Sequence, residues 1–144
     1  MNVRPATAKD AAAIVEVFLA AGRESWGVAG EVPAEMEPPR LSGGELVAED
    51  EDGIVGFALI EGCSIELLAT HPRVWGRGDA RALLVAAEAA LRAAGCGEVT
   101  LWTEERNATA RRVYQASGWR KEKELRERVW NGAPLRELRY RKRL

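Results

Sequence analysis

Two glycines and three arginines fall within nine residues of this chain, Arg73-Val74-Trp75-Gly76-Arg77-Gly78-Asp79-Ala80-Arg81. From there Ala80, Leu83/Leu84, Ala87, Leu91 and Ala94 recur at helical spacing, and Gly95 and Gly97 offer a cap. The stretch reads as a loop that opens a helix. The first helical turn leaves N–H groups without partners, and the dipole is positive there. Gly76 and Gly78 have no side chains to hold an anion away from those groups. Arg73, Arg77 and Arg81 place guanidinium charge beside them. A phosphate or pyrophosphate is the natural guest, with roughly 0.3–1 kcal/mol from the dipole and more from arginine pairing. The competing reading is a plain strand-to-helix turn that needs two glycines.

Two familiar phosphate loops are excluded. No G-x-x-x-x-G-K-S/T run exists, so this is not a nucleotide P-loop. A dinucleotide fingerprint needs a third small residue at position 81, where Arg81 stands.

A second constellation lies downstream, Asn107-Ala108-Thr109-Ala110-Arg111-Arg112-Val113-Tyr114-Gln115-Ala116-Ser117-Gly118-Trp119. Asn107 and Tyr114 are seven apart, which puts an amide and a phenol on one helix side, two turns apart along one groove. Read alone, Tyr114 is better taken as a half-buried core tyrosine.

The elements that must hold these residues follow in order. Val3-Arg4-Pro5-Ala6 reads as a strand, and Thr7-Ala8-Lys9-Asp10 as a capping box that starts a helix at Ala8. Ala11, Ile14, Val15, Phe18 and Ala21 give that helix an apolar face, and Gly22 weakens its end. Residues 22–44 show no clear period; a helical turn near Pro33–Met36 fits, and Trp26 suits either a binding site or the core edge. Glu45–Glu49 and Ile54–Ile60 make a hairpin about the acidic turn Asp50-Glu51-Asp52-Gly53, which reads as solvated rather than metal-binding. Cys63–Thr70 is the fourth strand, ended by His71-Pro72. A helix then leads to the fifth strand, Glu98–Thr103, and this spacing suggests a parallel crossover. Asn107–Gly118 is helical, Trp119–Trp130 is a charged strand, and Asn131-Gly132 signals the turn into Leu135–Arg143. In that last strand Leu138 and Tyr140 share one face, and Arg139 and Arg141 the other.

At 144 residues the length suits one domain spanning 1–144. Apolar residues make up 47% and charged ones 30%, the balance of an ordinary globular chain. A net charge of −1 argues against nucleic acid as a partner, although the basic tail Arg136–Arg143 keeps a binding module as a rival reading. No apolar run reaches membrane-spanning length, and Met1–Pro5 lacks a signal peptide's apolar core. Cys63 and Cys96 lack metal-ligand spacing and are expected to be reduced thiols in a cytoplasmic protein, without a disulfide and without a metal.

Trp75-Gly76-Arg77-Gly78-Asp79-Ala80 resembles the acetyl-CoA loop Q/R-x-x-G-x-G/A of the GNAT superfamily of N-acetyltransferases, with Trp75 in place of the usual Gln or Arg. Asn107–Trp119 matches that superfamily's N-x-x-A-x-x-x-Y-x-x-x-G-F/W, and the opening Val3–Phe18 looks like its first strand and helix. The resemblance covers nearly the whole chain and is weakest over 22–44. It implies an α/β (α+β) GNAT fold: a mixed, mostly antiparallel twisted sheet of about six or seven strands, flanked by helices and splayed between strands four and five.

The resemblance also implies that acetyl-CoA is the cosubstrate and a primary amine the acceptor, with direct transfer in a ternary complex. Arg73 to Arg81 would cradle the phosphates. The backbone near Leu68 would meet the thioester carbonyl, the backbone near Thr70 would hold the pantetheine, and Asn107 would bond the CoA arm. Tyr114 would lie near the sulfur and protonate the departing thiolate.

An amine with a pKa of about 10.4 needs help to lose its proton at neutral pH, so a carboxylate base is expected. Relatives often carry glutamate where this chain has Ser64, and Glu66 shares that strand parity. Glu66 is thus the first candidate and Glu104 the second, while Glu66 is otherwise a paired surface carboxylate. A non-catalytic acetyl-CoA-binding sensor of the same fold is the alternative. The choice between monomer and homodimer, and the identity of the amine, stay open.

Overall fold

The computed structural model describes residues 1–25, 40–130 and 133–144. Trp26, the turn near Pro33–Met36 and the Asn131-Gly132 turn lie outside the described residues.

Seven strands form one sheet in the order β1-β2-β3-β4-β5-β7-β6. They are β1 Asn2–Pro5, β2 Leu46–Asp50, β3 Gly53–Glu61, β4 Ser64–Thr70, β5 Glu98–Glu104, β6 Arg120–Trp130 and β7 Ala133–Arg143. Among the described residues three helices flank it: α1 Ala11–Ser25, α2 Asp79–Ala93 and α3 Ala108–Ala116. All neighbouring strands are antiparallel except β4 and β5. Those two are joined through α2, the crossover that a parallel pair requires.

The sheet is covered on both faces, and strand alternation decides which residue goes where. Val47 and Phe57 pack with Ile14, Val17 and Phe18 of α1. Their neighbours Ala48 and Ala58 pack on the opposite face with Leu83, Leu84, Ala87 and Leu91 of α2. The periodicity of both helices is thus the periodicity of burial. α1 starts later than the capping signal suggests: Ala8–Asp10 is a 3₁₀ turn and the α-helix begins at Ala11. The Asp10 carboxylate accepts from the Thr7 N–H at 2.7 Å and from both terminal nitrogens of Arg4 at 2.8 and 2.9 Å. Gly22 does not end the helix, which runs on to Ser25.

The cysteines correct the sequence reading. Cys63 and Cys96 form a disulfide, with Cα atoms 5.8 Å apart. The cause is topological. Parallel strands joined by a crossover start at the same end of the sheet, and each cysteine stands just before one of them, Cys63 before β4 and Cys96 before β5. The Thr100 N–H donates to the Cys63 carbonyl at 3.1 Å, which brings the two starts together. Free thiols therefore no longer argue for a reducing compartment. No helix among the described residues is long and apolar enough to cross a membrane.

Candidate active site

The β4–β5 pair makes the site by failing to continue. The strands register at only Ser64↔Thr100 and Ile65↔Leu101, whereas β3 follows β4 as far as Gly56↔Thr70. Beyond Ile65 the two strands diverge, and the β5-facing edge of β4 borders a cleft of about 240 Å³. Leu68 and Thr70 form one wall, the start of α2 another, and Asn107, Ala110 and Val113 at α3 a third.

The loop turns where the glycines require it. After β4, a 3₁₀ turn at Pro72–Val74 is capped by the His71 Nδ1, which accepts from the Arg73 N–H at 3.1 Å. Gly76 and Gly78 both have φ of +87°, which L side chains rarely adopt, and the space where a Cβ would stand is open at both. Gly78 is the N-cap of α2. Both glycines, Trp75, Asp79, Ala80 and Arg81 line the cleft at the first turn of α2. Trp75 donates its indole N–H to the Thr70 carbonyl at 2.9 Å.

Arg73 and Arg77 are tied up by carboxylates and are not among the lining residues. Arg73 forks onto both oxygens of Asp50, at 3.1 and 3.2 Å. Arg77 reaches Asp50 at 3.4 Å and Asp79 at 3.0 Å. The Asp50 carboxyl is held down at about 2, chiefly by Arg73. The acidic turn thus contributes an anchor for the loop arginines.

A smaller cleft adjoins the first and shares Ala21, Leu68, Ala69 and Asn107 with it. Two carboxylates line it. Glu104 ends β5 and accepts from the Arg136 N–H at 2.7 Å, the Arg106 Nε at 2.8 Å and the Arg106 N–H at 3.2 Å. Glu137 of β7 is only 1% exposed and sits against the guanidinium groups of Arg126 and Arg128, at 3.0 and 2.6 Å. Arg126 also lies 4.3 Å from the centroid of the Trp102 ring, which lines the same cleft. Sequence reasoning missed Glu137 and Trp102. The signal was strand parity: Leu135 and Glu137 share a face, and that face looks toward α1 and the cleft.

Of the remaining candidates, Glu66 and Tyr114 lie away from the cleft walls and Asn107 lies on them. Glu66 accepts from the Ser64 Oγ at 2.9 Å and pairs with Arg126 at 3.5 Å, and it lines neither cleft. Asn107 lines both, but as the N-cap of α3, its Oδ1 accepting from the Ala110 N–H at 3.1 Å. Tyr114 is 2% exposed, packed between the rings of Trp119 and Tyr140. Burial pushes its hydroxyl well above the ordinary phenol range, so it stays protonated, with the Thr103 side chain opposing that shift. Thr103 itself lines the smaller cleft, so the phenol stands one residue behind that wall.

Comparison with known proteins bears on the whole arrangement. None of the curated proteins compared with the chain matches it. Among solved structures, a GCN5-related N-acetyltransferase from Rhodopseudomonas palustris superposes with a TM-score of 0.76 at 21% identity, over 99% of this chain and 95% of that one. A phosphinothricin acetyltransferase from Sinorhizobium meliloti, in complex with acetyl-CoA, gives 0.72 at 20% identity over 99% and 88%. A ribosomal-protein-alanine N-acetyltransferase from Brucella melitensis gives 0.71 at 20% identity over 100% of both chains. At these identities the likeness is one of fold. The sequence model described as "Acetyltransferase (GNAT) family" matches residues 12–119, from the first turn of α1 to the residue after α3 and its Gly118. With loop, splayed strands and profile in agreement, the chain belongs to the GNAT family of acetyltransferases.

Proposed function

We propose that this chain transfers an acetyl group from acetyl-CoA to a primary amine directly, within a ternary complex. One observation carries the reading: the glycine-lined N-terminus of α2 and the unpaired edge of β4 border a single cleft. The neighbour from Sinorhizobium meliloti, whose structure contains acetyl-CoA, supports the choice of donor.

Gly76, Gly78 and the first turn of α2 receive the pyrophosphate, with Arg81 on the cleft wall and Arg73 and Arg77 held alongside by Asp50. The backbone of Thr70 and the side chain of Asn107 flank the pantetheine. The Leu68 N–H serves the thioester oxygen as charge develops on it, a type of contact worth about 3–4 kcal/mol. The amine nitrogen attacks the carbonyl carbon and the C–S bond breaks. The excess amine proton passes to a carboxylate through water, and Tyr114 protonates the leaving thiolate. Glu104 is better placed than Glu66 for the base, since it lines the cleft beyond Leu68. Direct transfer is favoured over an acyl-enzyme because both cysteines are consumed in the disulfide.

The test is a panel of amines with acetyl-CoA, following released thiol, with Glu104→Gln and Glu66→Gln in parallel. Amine-dependent thiol release is the expected result. Calorimetry with Gly78→Glu should show acetyl-CoA binding lost from a folded protein. Tight binding with no turnover across the panel would instead favour a sensor.

A further inference from the structure

The sheet ends on β6, and among the described residues no strand covers its outer edge. The opposite end is β1, four residues finished by Pro5, but β6 is eleven residues long. A long open edge is a template for another strand unless its side chains forbid it. The side chains of β6 are selective. The strand reads Arg120-Lys121-Glu122-Lys123-Glu124-Leu125-Arg126-Glu127-Arg128-Val129-Trp130.

Laid antiparallel on a copy of itself with Leu125 opposite Leu125, it is self-complementary. Glu124 then faces Arg126 of the second copy, Lys123 faces Glu127 and Glu122 faces Arg128. Every charged pair from 122 to 128 is unlike. Sliding one residue puts Lys123 opposite Arg126, or Glu124 opposite Glu127. Sliding two sets Glu124 against Glu124, or Arg126 against Arg126. Directly opposed like charges destabilise a strand pair, so one register stands apart.

The structure leaves the relevant side chains available. Lys123 and Glu127 are exposed and have no partner among the described residues. Leu125 is 42% exposed and Val129 70%, two apolar residues in the open on a strand of charges. Glu122, Arg126 and Arg128 are half-buried with partners of their own. Between Lys121 and Leu125 the register against β7 shifts and β6 bends. In a two-fold pair, the bend of each copy lies against the straight half of the other.

We infer that a second copy of this chain docks on β6, antiparallel and two-fold about Leu125, joining two seven-stranded sheets edge to edge. Such an isologous interface is the commonest form of homodimer.

Sedimentation velocity of the full chain over a concentration series should show a monomer–dimer equilibrium that weakens with salt. Lys123→Glu turns two unlike pairs into like ones and should raise the dissociation constant about tenfold or more. Glu127→Lys should do the same. Lys123→Glu combined with Glu127→Lys restores unlike pairing and should restore the dimer. Leu125→Cys places a thiol on the two-fold axis and should cross-link the dimer under mild oxidation, whereas Leu68→Cys should not. A chain that stays monomeric, a dimer indifferent to either reversal, or a charge swap that fails to rescue it overturns the proposal. Circular dichroism on each variant separates these outcomes from misfolding, and Leu125→Cys reads the interface without altering its charges.

Discussion

The indole N–H of Trp75 donates to the backbone carbonyl of Thr70 at 2.9 Å. This bond ties the glycine loop back to the last residue of β4, across the mouth of the cleft. It gives the tryptophan of the loop a physical function, since Trp75 fixes the loop against the strand edge proposed to hold the donor. Trp75→Phe keeps an aromatic ring, though a smaller one, and deletes the donor. The expected result is a folded protein with acetyl-CoA affinity weakened about 3–10-fold, the worth of one ordinary hydrogen bond. Calorimetry checks it, and unchanged affinity would leave the bond a local detail. Because Trp75 is 36% exposed at the cleft, its fluorescence should also shift on titration with acetyl-CoA.

Tyr114→Phe separates the two readings of that residue. Phenylalanine keeps the ring between Trp119 and Tyr140, so stability should change by no more than about 1 kcal/mol. If Tyr114 is the acid, kcat and kcat/KM fall together by about 10²-fold while acetyl-CoA binding holds. A stable variant with wild-type turnover assigns the residue to packing between Trp119 and Tyr140.

Acid sensitivity should concentrate at the start of α1. The Asp10 carboxyl is held well below its ordinary value, chiefly by the fork from Arg4 and secondarily by the Thr7 N–H, against the opposing effect of burial. A group depressed in the folded state contributes stability that is complete above its unfolded pKa, about 3.9, and is lost as pH falls through the folded value. Asp10→Asn should therefore cost about 1–2 kcal/mol at pH 7, with the difference from wild type shrinking only below about pH 4. Urea denaturation between pH 3 and 7 measures it. A constant gap across that range would detach the effect from ionisation.

The disulfide closes a loop spanning 33 positions. Constraining the unfolded chain over that length corresponds to about 3–4 kcal/mol in the chain-entropy picture. Melting with and without a dithiol reductant, and of Cys63→Ser with Cys96→Ser, should show that loss. Thiol titration of denatured, non-reduced protein should find no free cysteine. Two free thiols would overturn the pairing.

Local chemistry made much of this legible in sequence. Helical spacing after Gly78 predicted α2, the acidic turn predicted the β2–β3 hairpin, and the Asn107–Gly118 pattern predicted α3. What escaped depends on contacts between distant segments. Nothing near Cys63 names Cys96 as its neighbour; the shared end of two parallel strands does. Glu137 stands between Arg136 and Leu138 in a charged, alternating strand, and only the placement of β7 between β5 and β6 buries it. Glu66 has the parity of a cleft residue, but Arg126 reaches across from β6 to claim it. The Arg73–Asp50 fork is a meeting of two turns that sequence order keeps 23 residues apart.

The two-residue junction between β4 and β5 has a mechanical meaning. It makes the sheet two stiff plates, β1–β4 and β5–β7, hinged at one edge and pinned there by the disulfide. From Ile65 to Thr70 the free arm is about 17 Å long at a strand's rise per residue. A rotation of about 5° at the hinge would move the tip by roughly 1.5 Å, enough to misalign reacting groups. The gap at the reacting end is therefore set by how firmly its far end is clamped.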